Sequence, residues 1–355
     1  MIVETMIERI APTMKYVKPV QNGSATGLIA EVYRQMHTDF LPAPLVTLHA
    51  PVPAVLAGVW SILRETLLAG EVDRSHKEVI AATVSKANTC PFCVDAHTSL
   101  LHATSNHDAA SAILRGDYDR IHDEQLHALV QWVLAKGTSN ANGVPPPPFA
   151  PHEAPEIIGT AVAFHYINRM VNVFLGDTFL PLPSALKGVT GRLLGATAGK
   201  RFVRRLQQGG SLRFVPDAIL PDDLFWAAGN PTVAGAFAGF AKVVEQAGSA
   251  VLPEGVRALV SDRVQAWNGE ALGLSRRWVE DAVVDLKEAH RAAARLTLLT
   301  ALASYQVDTS IVEAFQSQYP EDAHLIAATA WASFTAARRA GVWFAEPLKM
   351  VERER

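Results

Sequence analysis

Cys90 and Cys93 are the only cysteines in the chain, and they stand three residues apart in Cys90-Pro91-Phe92-Cys93-Val94-Asp95-Ala96-His97, with Glu78 twelve residues upstream of Cys90. At about 100° per helical residue, the i,i+3 pair Cys90/Cys93 and the i,i+4 pair Cys93/His97 project from one face of a helix that starts near Pro91. Pro91 suits the first helical position, where its missing N–H would have no partner and its fixed φ already fits. Both sulfurs then lie in the first turn, where free N–H groups and the positive end of the helix dipole favour thiolate over thiol. Two cysteines so placed can close a disulfide. One can attack a mixed disulfide or pass through a sulfenic acid, and the other can resolve it.

The same spacing separates the two sulfurs by role. His97 is one turn from Cys93 and two from Cys90, so it can take the Cys93 proton directly and reaches Cys90 poorly. Cys93 is therefore the candidate nucleophile. Glu78 lies in Ser75-His76-Lys77-Glu78-Val79-Ile80-Ala81-Ala82. The helical apolar pattern of that segment runs to Val84 and should stop near Asn88-Thr89. If this helix packs beside the cysteine helix, its carboxylate can orient the imidazole. Other readings stand beside this one. C-x2-C-x3-H-x4-H evokes zinc, but on a continuous helix His102 falls about 120° from Cys90, so a fourth ligand such as His76 would have to come from elsewhere. Two inert core cysteines are a further alternative, because free Cys is among the most buried residue types.

Glu78, eleven intervening residues, Cys90-x-x-Cys93 and His97 resemble the core of the alkyl hydroperoxidase D-like proteins within the carboxymuconolactone decarboxylase superfamily, and the likeness extends over Val79 to His102. The segment from Gly159 to Met170, with its Asn168-Arg169 pair, resembles the closing helix of the same domain. The resemblance implies an all-α fold that reduces peroxides or disulfides. Carried over, it makes Cys93 the peroxidatic thiol, Cys90 the resolving thiol exposed to the reductant, and His97 with Glu78 the proton relay. It implies a small hydroperoxide or disulfide substrate, an external thiol or dithiol reductant (a protein or a small dithiol) and no bound cofactor or metal. In one respect the chain departs from the pattern: the characterised peroxidase has a second histidine between the cysteines, where Phe92 stands here. That shortens the relay and bears more on alkyl hydroperoxide reduction than on thiol–disulfide exchange. A decarboxylase-like or isomerase-like activity on a small carboxylated metabolite is the alternative in the same fold, although related decarboxylases generally lack the cysteine pair. A non-catalytic redox-sensing scaffold is a third class.

The elements that must hold these residues read as helices throughout. Apolar spacing of three and four recurs, as in Leu126, Leu129, Val130, Val133 and Leu134, with little β-branched alternation. At 355 residues the chain exceeds what one core usually supports, which favours two domains. A shift of 180 residues lays Pro51–Gly58 over Pro231–Ala238, and the Glu78 helix over the segment from Arg257 to Trp267. A shorter shift lays the Arg169 helix over Ala328 through Arg338; a shorter loop explains the difference, since the first half carries the insertion-like Asn142-Gly143-Val144-Pro145-Pro146-Pro147-Pro148. The expectation is an alkyl hydroperoxidase D-like domain over 1–183, a Gly-rich basic linker over 184–216 and a degenerate copy over 217–355. Under this register Glu78, Cys90, Cys93 and His97 fall on Ala258, Glu270, Gly273 and Arg277, so the second copy has no nucleophile or base. It would supply the packing surface that a second subunit gives single-domain relatives, within a homo-oligomer.

With 49% hydrophobic and 19% charged residues and a net charge of -3, the chain makes no electrostatic claim on nucleic acid or an anionic membrane. The Met1 region carries Glu4 and Glu8 without an apolar core and cleavage site, which argues against a signal peptide. Ala54 to Gly70 is apolar but interrupted by Arg64 and Glu65, and reads as an amphipathic core helix rather than a membrane span. With no further cysteines for a structural framework, a reducing cytoplasm is the expected compartment. Trp60, Phe164, His165 and Tyr166 are candidate pocket walls, with His165 a candidate second base or, more simply, a core histidine.

Overall fold

A computed structural model describes residues 14–137, 146–176 and 204–353. The described residues form helices and turns with no strand; one isolated bridge joins Ala69 to Leu206. The first half comprises α1 (Gly27–Asp39), α2 (Pro44–Thr47), α3 (Pro53–Leu63), α4 (Arg74–Ala87), α5 (Pro91–Ala103), α6 (His107–Arg115), α7 (Glu124–Lys136) and α8 (Ala154–Phe174). The second comprises α9 (Pro231–Val251), α10 (Glu254–Ala266), α11 (Arg277–Val283), α12 (Glu288–Leu302), α13 (Thr309–Gln316) and α14 (Asp322–Arg353). No helix among the described residues is long and apolar enough to cross a membrane.

Local chemistry sets the boundaries that matter for the site. Asp73 caps α4 by accepting from the Ser75 N–H at 2.8 Å, and the helix ends at Asn88, after which Thr89 turns at φ 53°. Cys90 is the N-cap of α5 and Pro91 its first residue. Both helix limits agree with the spacing of the sequence.

α8 and α14 lie against each other at the centre, and α3 packs on α9. A Cβ added to Gly58 would come within 2.5 Å of a Phe240 side-chain carbon, so only glycine lets α3 approach α9 this closely. The Phe240 ring sits 5.1 Å from Tyr166 of α8 and 4.6 Å from Phe334 of α14. One hydrophobic core thus runs through both halves. Helices α3 and α4 begin at 53 and 74, and α9 and α10 at 231 and 254, close to the 180-residue register of the sequence. Helix α11 begins only at Arg277, so no helix of the second half starts where the cysteine helix would fall.

One expectation changes here. The apolar helix from Ala54 does not continue as an amphipathic element, because α3 passes into a π-helical turn, Arg64–Leu68, that is wholly buried. In the described part of the 184–216 segment, Arg204 and Arg205 are at the surface beside Asp39 and Glu71, while residues 209–211 are tied to the core. The fully buried Glu65 carboxylate accepts from the Gly209 N–H at 2.7 Å and from the Ser211 N–H and hydroxyl at 3.0 and 2.6 Å, with Arg64 Nη1 2.7 Å away. A buried carboxylate is tolerated only when so satisfied, and these bonds fix the returning chain to the π turn. The basic and glycine residues 187–201 of that segment, the boundary drawn at 183, residues 142–145 and the Met1 region lie outside the described residues.

The turn leading into α4 is held similarly. Glu156 of α8 accepts from the Glu71 and Val72 N–H groups at 2.9 and 3.2 Å and pairs with buried Lys77 at 2.5 Å. Gly70, at φ 109°, lies over that carboxylate, where a Cβ would fall 2.2 Å from an oxygen. Gly70→Ala therefore combines backbone strain with a clash and is expected to cost ~2 kcal/mol or more. Urea unfolding measures it; a loss below ~0.5 kcal/mol would contradict this packing.

Candidate functional site

Helix α4 presents Arg74 and Glu78, one turn apart, toward α5. The Glu78 side chain is 0% exposed and its two oxygens have separate partners: Arg74 Nε donates to Oε1 at 2.6 Å and His97 Nδ1 lies 2.6 Å from Oε2. Burial alone would raise the Glu78 carboxyl, but Arg74 and then His97 outweigh it and hold the group below its ordinary value. These pairings stabilise the fold above about pH 4.5, the carboxyl's ordinary value, and the contribution is lost as pH falls through the lowered one. With the carboxylate ionised, His97 Nδ1 carries the shared proton and Nε2 is the ring atom able to take another. The His97 ring is seated edge-on against Phe164 of α8, with centroids 4.4 Å apart.

One turn back from His97, Cys93 is joined to Cys90 in a disulfide across the first turn of α5, with a Cα–Cα distance of 5.4 Å. Cys90 is 1% and Cys93 2% exposed. The expectation of an exposed Cys90 is corrected to this extent: the sulfur side is covered, while the flanking Thr89 and Pro91 are at the surface.

Helix α8 holds the turn that precedes Cys90. Asn88 Nδ2 donates to Asn168 Oδ1 at 3.0 Å and lies 3.1 Å from His165 Nδ1, Asn172 Nδ2 donates to the Asn88 carbonyl at 3.3 Å, and Asn168 Nδ2 donates to Ser85 Oγ at 2.9 Å. The Cys90 N–H itself donates to the Ser85 carbonyl at 2.9 Å. The turn that presents Cys90, including the left-handed Thr89, is thereby clamped from one helix. Arg169 faces the second half, where it donates to the Ala301 carbonyl at 2.7 Å and lies over the Trp267 ring. Burial brings its pKa down to about 10.

Of the candidate pocket walls, Phe164 meets the His97 ring. Burial, and then Arg169, hold His165 well below its ordinary pKa, and its Nδ1 accepts from Asn88; it is a core histidine. Tyr166 Oη pairs with His49 Nε2 at 2.8 Å, and Trp60 Nε1 donates to Gln35 at 2.7 Å, both elsewhere in the core. His102 Nδ1 lies 2.9 Å from His107 Nδ1. Among the described residues no group of three or more His, Cys, Asp or Glu side chains is arranged to hold a metal ion. Arg74 and Asn88 were not singled out from the sequence, although Arg74 stands at i−4 from Glu78, where the helix rule places an ion-pair partner.

Residues 53–115, which contain α3 to α6 and all four of Glu78, Cys90, Cys93 and His97, match the carboxymuconolactone decarboxylase family. An alkyl hydroperoxide reductase of Mycobacterium tuberculosis is 40% identical over 332 residues, covering 93% of this chain and 94% of that protein. The chain belongs to the carboxymuconolactone decarboxylase family. Within it, the chain is similar over nearly its whole length to a relative named for peroxide reduction, so the likeness extends well beyond the 63-residue match of the family, residues 53 to 115. No solved structure matches the chain at a significant level.

Proposed function

We propose that the protein is a thiol-dependent peroxidase or disulfide oxidoreductase. The observation that carries this reading is the Cys90–Cys93 pair at the start of α5, with the Glu78-held His97 one turn beyond Cys93. In the reduced protein, His97 Nε2 takes the Cys93 proton. The thiolate attacks the terminal oxygen of a hydroperoxide, the O–O bond breaks, Cys93 becomes a sulfenic acid, and the departing alkoxide receives the proton from the imidazolium as an alcohol. The Cys90 thiol then attacks the Cys93 sulfur, giving the disulfide and water. An external dithiol, oxidised in turn, restores both thiols. Cys90 is flanked by the exposed Thr89 and Pro91, the surface a reductant would approach. No bound cofactor is required.

With Phe92 in place of a second histidine, the relay consists of His97 and Glu78 alone. Decarboxylation of a small carboxylated metabolite would leave the cysteine pair without a task. In the same reading, the second half descends from a duplication over 1–183 and 217–355, and α14 packs on α8 as a partner subunit would. The family core would work in a reducing cytoplasm, as part of a homo-oligomer.

Hydroperoxide consumption by the reduced protein, followed with lipoyl, thioredoxin-type and small-thiol reductants, tests the assignment. The expected result is catalytic turnover with at least one dithiol, releasing one alcohol and one oxidised dithiol per peroxide. Absence of peroxide and disulfide turnover with all three, when both thiols titrate as free, would overturn it.

A further inference from the structure

We infer that Arg74 is a positioning residue for the proton relay, holding Glu78 ionised with one oxygen reserved for His97. The inference rests on the proposed thiol chemistry for its purpose, and on the α4–α5 geometry for its substance.

Glu78 has no solvent contact, and a carboxylate in that position protonates unless a positive charge or several donors hold it ionised. Its partners are Arg74 on its own helix and His97 from α5. From α8 the uncharged Phe164 meets the His97 ring edge-on, while His165 and Arg169 are bonded to Asn88 and the Ala301 carbonyl. Helix α7, also packed on α4, contributes buried Leu129 and Val133, its charged Glu124 and Lys136 lying at the two ends. Arg74 is thus the one permanent cation bonded to this carboxylate among the described residues.

The way Arg74 binds bears on its role. Arginine frequently binds a carboxylate as a two-pronged fork that takes both oxygens. Here only Nε binds, to Oε1 alone, which leaves Oε2 to His97 and fixes the rotation of the carboxyl plane. Both Nη nitrogens are buried without a hydrogen-bond partner, and the side chain is only 10% exposed. Its guanidinium carbon lies 6.0 Å over the Phe40 ring. The guanidinium therefore meets Glu78 through a single bond, and what it supplies there is chiefly its charge. The charge of Arg74 acts on Glu78, and through Oε2 it fixes the tautomer that leaves His97 Nε2 free for Cys93.

The test is the pH dependence of Cys93 alkylation by iodoacetamide in the reduced full-length chain, located by mass spectrometry, with hydroperoxide turnover followed in parallel. Without the cation, burial acts on Glu78 unopposed and its carboxyl protonates at higher pH. The acid limb of Cys93 reactivity is therefore expected to move up by about one unit or more in Arg74→Met, the scale of one opposite charge at contact distance. Arg74→Lys, which keeps the charge, should return the limb most of the way to wild type. Arg74→Gln retains length and a donor; it serves should the methionine variant not fold, and it should move the limb in the same direction. A merely structural role would lower stability and reactivity evenly across pH. An unmoved limb in either folded neutral variant overturns the inference. Because alkylation needs no substrate, a moved limb in a protein without turnover keeps the role of Arg74 and overturns the proposed function. The reverse pattern does the opposite.

Discussion

Cys93→Ser is expected to abolish hydroperoxide and disulfide turnover, by at least about a thousandfold, the scale on which loss of a covalent nucleophile is felt. Cys90→Ser should behave differently. Cys93 retains its place at the N-terminus of α5 and its distance of one turn from His97, so it still reacts with one equivalent of peroxide but cannot recycle through the internal disulfide. Steady-state turnover is lost in both variants, whereas single-turnover reaction survives only in Cys90→Ser. Equal, full activity in the two variants would remove the assignment, and the reverse asymmetry would exchange the roles of the cysteines.

His97→Ala should lower turnover by roughly a hundredfold to ten-thousandfold, the usual contribution of a positioned general base. It should also displace the alkylation profile of Cys93 to higher pH, because the thiolate loses both its proton acceptor and the imidazolium that pairs with it. Glu78→Gln keeps the shape and an acceptor for the Nδ1 proton but removes the charge that bridges Arg74 and His97. Its loss should be smaller than that of His97→Ala. An unchanged alkylation profile in His97→Ala would mean that this histidine does not serve Cys93, whatever happens to turnover.

Local physics made the centre of the site legible in the sequence. The i,i+3 and i,i+4 spacings, Pro91 at a helix start and the end of the apolar run near Asn88 depend on residues a few positions apart, and the helices begin and end there. The meeting of Glu78 with His97 was accessible as a condition, that two consecutive helices pack side by side. The clamp on the turn before Cys90 was not, because it depends on Asn168 and Asn172 reaching Asn88 across some 80 residues of chain. Glu65 shows the same limit more sharply. A lone acid in an apolar stretch reads as a solvent-facing interruption, yet its partners Gly209 and Ser211 arrive over 140 residues later and make it fully buried. Arg74 is the opposite case. Its i,i+4 relation to Glu78 was present in the sequence, and only the buried carboxylate between it and His97 gives that relation weight.

The central claim, that Cys93 is the atom oxidised by peroxide, is tested most directly by trapping. Reduced Cys90→Ser protein would be mixed with one equivalent of an alkyl hydroperoxide in the presence of dimedone, and the modified residue located by mass spectrometry. One dimedone adduct on Cys93 and one equivalent of released alcohol are expected. Unmodified Cys93 with peroxide left intact, in a protein whose wild-type form consumes it, would contradict the account.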